Sequence, residues 1–246
     1  MPPDRNIVIL TGAGISAESG VPTFRTRNGI NYWDVGDGSD GYRIEEVCTP
    51  EALRRDPALV HGFYDLRRAA LADVRPNPAH EALARLDREW RGELLVVTQN
   101  VDDLHERAGT RRLLHMHGEL CSALCAACGA RRSWRNPLPP GSICLNCHTP
   151  ALRPDIVFFG EMPYQMERID AALTEADLFV SIGTSGAVYP AAGFVQTARH
   201  HGARTLELNL DLSEGSDRFH QTRLGTAGSL VPAWVDTLLD NIAGLR

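Results

Sequence analysis

Residues 6–25 read NIVILTGAGISAESGVPTFR, and no other stretch limits the fold so tightly. Ile7, Val8, Ile9 and Leu10 form an apolar run without alternation, the pattern of a parallel strand buried on both faces. Directly after it, Gly12-Ala13-Gly14-Ile15-Ser16-Ala17 fits G-x-G-x-x-G/A. In that pattern the first glycine permits a tight turn, the second lets backbone N–H groups approach a pyrophosphate, and a small third residue lets helix and strand close up. The sequence therefore predicts an α/β fold, a doubly wound parallel (Rossmann-like) sheet, with a dinucleotide at this loop. A bare strand-to-helix turn would use the same glycines, so the following residues carry the distinction.

A hydride-carrying domain would continue through a helix of about three turns and a second strand ending in an acid roughly 20 residues on. Gly20 and Pro22 instead stop the helix at once, and no β-rich run with a terminal acid comes before Asp34. The dinucleotide is thus expected to be consumed rather than cycled, with Thr23, Phe24 and Arg25 in a loop above the phosphate site. GAGISAESGVPTFR resembles the signature of the sirtuins, NAD-dependent protein lysine deacylases, and further matches recur in order to about Pro232. The resemblance implies NAD as co-substrate and assigns Gly12, Ala13, Gly14, Ala17 and Glu18 to its binding.

A chain of 246 residues can bury a sizeable core, and 43% hydrophobic with 23% charged residues is ordinary for a soluble globular protein. The formal charge of −6 argues against a nucleic-acid binder and suits cationic peptides as partners. The pairs Arg111-Arg112 and Arg131-Arg132 read as solvated faces. No apolar run approaches the ~18 to 20 residues of a membrane span. MPPDRN carries no signal-type segment, so a cytoplasmic location is expected. Six cysteines, five of them between 121 and 147, fit a metal cluster in a reducing compartment better than disulfides.

Residues 26–43, rich in Gly, Asp and Asn, read as a long mobile loop, a lid over the cofactor anchored by Tyr32 and Trp33. Thr49-Pro50 opens a short helix and Asp56-Pro57 a longer one to about Ala72. On the latter, Leu59, Phe63, Leu66 and Ala70 make one apolar stripe; Val60, Tyr64, Arg67 and Leu71 make the next. An arginine among core positions can be a snorkelling side chain. It can also pair with Tyr64, three residues away, as a phenol beside a guanidinium fork suited to a carboxylate, and spacing leaves Arg68 in contention. Tyr64-x-x-Arg67 is similar to the pair in sirtuins that remove acidic acyl groups such as succinyl and malonyl. Cys48 stands where that class commonly has Ala lining the acyl pocket.

A helix is expected over Ala79–Glu89 and a buried strand at Leu94–Val97, ending in the polar cluster Thr98-Gln99-Asn100-Val101-Asp102. TQNVDDLHERAG resembles the sirtuin TQNIDxLHxxAG motif, which implies that Gln99, Asn100 and Asp102 shape the pocket for nicotinamide and its ribose. In His115-Met116-His117-Gly118-Glu119-Leu120 the two histidines alternate in direction, so only one can face a given pocket. The resemblance to HGEL singles out His117 as general base, with Asn100 the second catalytic residue; His105 and His115 read as structural.

Cys125-x2-Cys128 and Cys144-x2-Cys147, fifteen residues apart, match a four-cysteine zinc pattern. Four thiolates leave no open position, so one structural Zn2+ is expected, without Cys121 or His148. The intervening segment could scarcely fold without the ion. In LRPDIVFFGEMP a buried strand is expected over Ile156–Phe159, and the resemblance implies that Val157, Phe159 and Gly160 grip the substrate peptide by backbone pairing. Another strand, Leu178–Ile182, runs into Gly183, Thr184 and Ser185, which resemble the turn receiving the adenosine half of NAD; Asn209, Leu210 and Asp211 follow as holders of the adenine ribose. Ala227 matches a turn against adenine, with Gly228 a departure, and an amphipathic helix is expected over 232–243.

The expectation is one catalytic domain over residues 1–246. A large Rossmann-like lobe would come from 1–30, 76–118 and 154–246; a smaller lobe from helical segment 31–75 and the zinc insertion 119–153. Acyl-lysine proteins would be deacetylated, and desuccinylated or demalonylated, with the acyl group passing to ADP-ribose and nicotinamide leaving. A mono-ADP-ribosyltransferase and a non-catalytic NAD- or ADP-ribose-sensing module are the alternatives.

Overall fold

The structure, a computed structural model, describes the backbone of residues 5–22, 24–27, 30–33 and 41–243, and the side chains of these except 24–27, 30–33, 242 and 243. Thr23 therefore lies outside the described residues, as do the side chains of Phe24, Arg25, Tyr32 and Trp33. The chain begins β1 (Asn6–Thr11), α1 (Ala13–Ala17), β2 (Phe24–Arg27), β3 (Ile30–Trp33), β4 (Tyr42–Arg43), α2 (Ile44–Val47), α3 (Pro50–Arg55) and α4 (Pro57–Ala70). It continues α5 (Pro78–Glu89), β5 (Glu93–Thr98), α6 (Leu104–Ala108), β6 (Leu113–His115), β7 (Gly118–Cys125), β8 (Arg131–Ser133) and β9 (Leu152–Ile156). It ends α7 (Met166–Glu175), β10 (Leu178–Ile182), α8 (Phe194–His200), β11 (Arg204–Asn209), β12 (Gln221–Leu224) and α9 (Ala227–Ala243).

Six strands form one parallel sheet in the order β12-β11-β10-β1-β5-β6. The unbroken apolar run of β1 is explained by its central place: Ile7 and Ile9 pack with Leu94, Val96, Val180 and helices α5 and α9, while Val8 and Leu10 pack with Leu95, Val97, Phe179 and helices α7 and α8. Both faces are covered, as the sequence predicts for a doubly wound sheet. From β1 the chain runs out through β5 and β6, then returns to build β10, β11 and β12 on the other side. The order reverses between β1 and β10, and ligands in such sheets bind outside the carboxyl ends at that switch point.

Five sequence expectations need correction. The stretch read as a loop holds a three-stranded antiparallel sheet, β2-β3-β4, with Arg27 opposite Ile30. The Asn-Gly pair at 28–29, between two runs with aromatic and β-branched residues, is a hairpin signal that overall composition obscures. On α4 only the end of the first stripe, Leu66 and Ala70, faces outward, Leu66 being 65% exposed, while its Phe63 is buried with Val60, His61, Tyr64 and Arg68, and Leu71 lies buried just beyond the helix. The strand expected over Ile156–Phe159 is instead Leu152–Ile156, because β9 pairs with β7 and leaves the ladder at Val157. Helix α9 starts at Ala227, five residues before the expected Pro232, so the stretch expected as a turn is its first turn. Finally, Arg112 and Arg131 are not merely solvated: Arg112 ties Asp87 and the carbonyls of Gly92 and Trp90, and Arg131 bonds Asp155 over the Tyr164 ring.

Candidate active site

The glycine loop rests on the loop after β10. Gly12 N donates to Ile182 O (3.0 Å) and Gly14 N to Gly183 O (2.8 Å). A Cβ at Gly12 would stand 2.8 Å from Gly183 O, and one at Gly14 2.7 Å from Gly183 Cα. The two loops thus require glycine for their mutual contact, in addition to any approach by a phosphate. Ala13 and Ala17 are exposed on the short α1. Glu18 is engaged elsewhere: its carboxylate accepts from Gly228 N (3.0 Å) at the start of α9, whose Ala227 is buried in the core. A Cβ at Gly228 would stand 2.8 Å from that carboxylate, which would have to shift its flexible end to admit a side chain there.

Asn100 and Asp102 follow β5. Asn100 Nδ2 donates to Gly12 O and to Ser16 Oγ, both at 3.0 Å. Asp102, 4% exposed, accepts from Leu104 N (3.2 Å), and burial raises its carboxyl pKa against the opposing effect of hydrogen bonds from Leu104 and Ser16. Ser16, inside the glycine motif, therefore links both polar residues; nothing in the periodicity of α1 marks it. Gln99 supplies its carbonyl to His117 Nδ1 at 3.2 Å. That bond fixes the proton on Nδ1 and leaves Nε2 as acceptor. Burial pushes the His117 pKa below its ordinary value, only partly offset by the Gln99 bond, so the ring is neutral at pH 7.

A chain of backbone bonds runs from His117 to the face of α4. Val157 N donates to His117 O and Phe159 N to Cys48 O, both at 2.9 Å. Cys48 Sγ and Tyr64 Oη lie 3.2 Å apart, buried in a cluster with Phe63, Phe158 and Leu120. The Arg67 guanidinium sits 5.5 Å from the Phe63 ring centre and 5.7 Å from that of Tyr64. Burial lowers its pKa, while the Tyr64, Cys48 and Asp102 charges act the other way. Arg68 is committed to structure, donating to Leu120 O at 2.6 Å and to Asp65. Packing thus commits Arg68 to the fold and leaves Arg67 against the Phe63 and Tyr64 rings. Phe159 is exposed, and the amides of Val157 and Phe159 are already taken by the fold.

On the other side of the crevice, Thr184 Oγ1 bonds Ser181 Oγ (2.9 Å) and Thr184 O accepts from Asn209 Nδ2 (2.8 Å). Ser185 Oγ accepts from Ala187 N at 3.3 Å, Leu210 is 63% exposed, and Asp211 is exposed. Glu207, fully buried on β11 two residues before Asn209, carries no sequence signal of its own. Its carboxylate gathers Ser213, Ser216 and Thr222 and so ties the loop after β11. Two glycine loops in mutual contact, with amide and hydroxyl donors and a carboxylate acceptor at the strand ends, form a polar set that fits the sugar and amide groups of NAD.

The four cysteines of the zinc pattern bring their Sγ atoms within 4.8 Å of one another. Cys125–Cys147 and Cys128–Cys144 are 3.6 and 3.8 Å apart. A tetrahedron with metal–sulfur bonds of about 2.3 Å has edges of about 3.8 Å, so the set fits Zn2+. Each knuckle ends in a left-handed residue, Gly129 (φ 71°) and His148 (φ 57°), which closes the turn; His148 is needed for the turn, outside the ligand set. Cys121 is likewise outside it, beside Asp103 and Arg135.

A doubly wound sheet, paired glycine loops at its switch point, a neutral histidine beside them and a four-cysteine knuckle define the class: an α/β dinucleotide-site domain carrying a metal-type insertion. The chain belongs to the Sir2 family, whose profile matches residues 12–190. It is 51% identical over 240 residues to an NAD-dependent protein deacylase of Vibrio parahaemolyticus, covering 96% of each chain. Among solved structures it is similar to a Sir2 homologue in complex with NAD (TM-score 0.85, 34% identity, 97% of this chain and 91% of that one). It is also similar to a Sir2 protein bound to acetylated peptide (TM-score 0.76, 25% identity, 99% and 95%).

Proposed function

We propose that this chain is an NAD-dependent protein lysine deacylase that transfers the acyl group to ADP-ribose and releases nicotinamide. One observation carries the reading: four hydrogen bonds, Phe159 to Cys48, Val157 to His117, His117 to Gln99 and Asn100 to Gly12, joined through the short peptide stretches 157–159 and 99–100, connect the α4 pocket, a neutral base and the glycine loop. NAD, when bound, supplies a ribose carbon whose bond to nicotinamide is broken. The chain's own groups do the rest. Asn100 and Asp102 orient the amide and sugar, and His117 Nε2 takes a proton from a ribose hydroxyl, help typically worth about 10² to 10⁴ in rate.

Gly12, Ala13 and Gly14 with Gly183, Thr184, Ser185, Asn209, Leu210, Asp211 and Ala227 hold the adenosine and phosphate side. Residues 157–160 hold the peptide, through carbonyls more than amides. Tyr64 and Arg67 accept the carboxylate of a succinyl or malonyl group, with Cys48 beside them, and the four cysteines hold a structural Zn2+. The two-lobed division, acyl-lysine proteins as partners and a cytoplasmic location belong to the same reading. The Asp102 charge acts on the buried Arg67 guanidinium, which supports an acid-accepting acyl pocket on the same side as the nicotinamide pocket. An acyl series tests it: kcat/KM on acetyl-, malonyl- and succinyl-lysine peptides should include turnover of the acidic groups. No acceleration of nicotinamide release by any acyl peptide would refute it.

A further inference from the structure

His115 lies two residues before the base, at the end of the edge strand β6. The segment 115–120 grips four successive carbonyls of the loop that carries Gln99, Asn100 and Asp102. Met116 N bonds Thr98 O (3.0 Å), His117 Nδ1 bonds Gln99 O (3.2 Å), His115 Nδ1 bonds Asn100 O (2.9 Å) and Leu120 N bonds Val101 O (2.8 Å). His115 differs from the other three in that its second nitrogen is also engaged, with Nε2 2.8 Å from Glu106 Oε1 and 3.9 Å from Glu119 Oε1. A carbonyl and a carboxylate can only accept, so both ring nitrogens must donate, and an imidazole does that only as the imidazolium.

The geometry points to His115 as a positioning residue for the deacylation proposed above: a buried imidazolium clamp between Asn100 O and Glu106 that holds the nicotinamide-side loop in register. The side chain is 8% exposed. Burial works against its charge, but the Glu106 bond and charge, the Asn100 carbonyl and Glu119 together hold its pKa above the ordinary value. The charged and titratable groups facing it are Glu106 and His105 on α6, Glu119 on β7 and Asp102 on the loop itself. His105 is kept neutral by burial, and the His115 charge favours the ionised form of Asp102. Glu106 and Glu119 line a cleft of about 350 Å³, which gives the clamp a path to solvent.

On deprotonation the remaining proton goes to the carboxylate side, the stronger acceptor, and a lone pair of Nδ1 then faces Asn100 O. The loop loses its tie, so turnover should fall at alkaline pH through a limb that belongs to His115. Asn at 115 keeps a donor where Nδ1 stands and cannot titrate; Leu removes it. Gln at 106 can donate to a neutral His115 and so keep the Asn100 bond at any pH.

The test is kcat and KM against pH for wild type, His115→Asn, His115→Leu and Glu106→Gln, with nitrogen-15 NMR of histidine-labelled protein. His115→Leu should lose about tenfold or more in kcat with little change in peptide KM, the scale of a misplaced catalytic group. His115→Asn should keep most of the rate without the alkaline limb. In Glu106→Gln the limb should vanish, and the His115 NMR titration should shift from above 6.5 toward acid. Equal losses in the Asn and Leu variants, an unmoved alkaline limb, or a wild-type His115 that NMR shows titrating below 6.5 would overturn the clamp. Absence of wild-type turnover would instead sink the deacylase reading, and the NMR titration would still decide whether the clamp is charged.

Discussion

At the scale of single residues, the site divides into groups whose roles the spacing exposes and groups whose roles only packing assigns. His117 is held neutral by burial, so the acid limb of kcat/KM should have an apparent pKa below 6.5. His117→Ala should cost at least about 10²-fold in kcat while leaving the melting temperature within a few degrees; retained turnover would remove it from the mechanism. Arg67→Met should depress desuccinylation far more than deacetylation, because the neutral acetyl group has no carboxylate to pair with the guanidinium. Equal losses on both substrates would make Arg67 structural. Cys48 is hydrogen-bonded to Tyr64 Oη, so Cys48→Ala frees that hydroxyl, and succinyl-lysine KM should change by up to about fivefold, the scale of one neutral hydrogen bond worth ~1 kcal/mol or less, while acetyl-lysine KM stays within about twofold. That Tyr64 and Arg67 share a helix face was legible from their i and i+3 spacing, which left Arg68 in contention. That Arg68 belongs to Leu120 O, and Glu18 to an amide 210 positions away, depends on contacts no local pattern contains.

At the scale of elements, the sheet strands were legible wherever burial on both faces left an unbroken apolar run, as in β1, β5 and β10. The errors fall where partner geometry decides. The chain leaves β9 at Ile156 although three apolar residues follow, since β7 offers partners only that far. Leu66 lies on the apolar stripe of α4 yet faces outward. The loop-to-loop contact of Gly14 and Gly183 gives a test at this scale. Gly14→Ala places a methyl 2.7 Å from Gly183 Cα, overpacking of a kind that costs ~1–3 kcal/mol, and should lower both the melting temperature and NAD affinity. Thermal unfolding and NAD titration would show it; an unchanged variant would mean the two loops can separate freely. Cys144→Ser should release bound zinc and increase hydrogen exchange over 119–153 before the sheet is affected, because the segment between the knuckles has little apolar core of its own. Zinc analysis with hydrogen-exchange mass spectrometry is the check.

At the scale of the whole molecule, one consequence of the buried histidines is a pH-dependent stability. His80 and His105 pack 4.9 Å apart, and burial lowers the His80 pKa from 6.5 to about 4 and that of His105 well below 6.5. The unfolded chain therefore binds more protons than the folded one between about 4 and 6.5. Their contribution is complete above the unfolded value and declines as pH falls through that window. His115 has the opposite sign: its raised pKa stabilises below 6.5 and the gain is lost as pH rises past the folded value. Burial lowers His61 and His117 in the same sense, so four groups outweigh one on the acid side and urea midpoints should fall from pH 7 to pH 5, less steeply in His80→Gln; an unchanged slope would exclude His80 as a source. The overall architecture, the crevice and the cysteine cluster were legible because each has a spacing that physics reuses, whereas the clamp at His115 arises from three segments meeting and leaves no periodic trace. The most direct measurement is mass spectrometry of the products formed from NAD and acetyl- or succinyl-lysine peptide. Equimolar free lysine peptide, nicotinamide and acyl-ADP-ribose are expected; free carboxylic acid without nicotinamide, or ADP-ribose attached to the peptide or protein, would contradict the account.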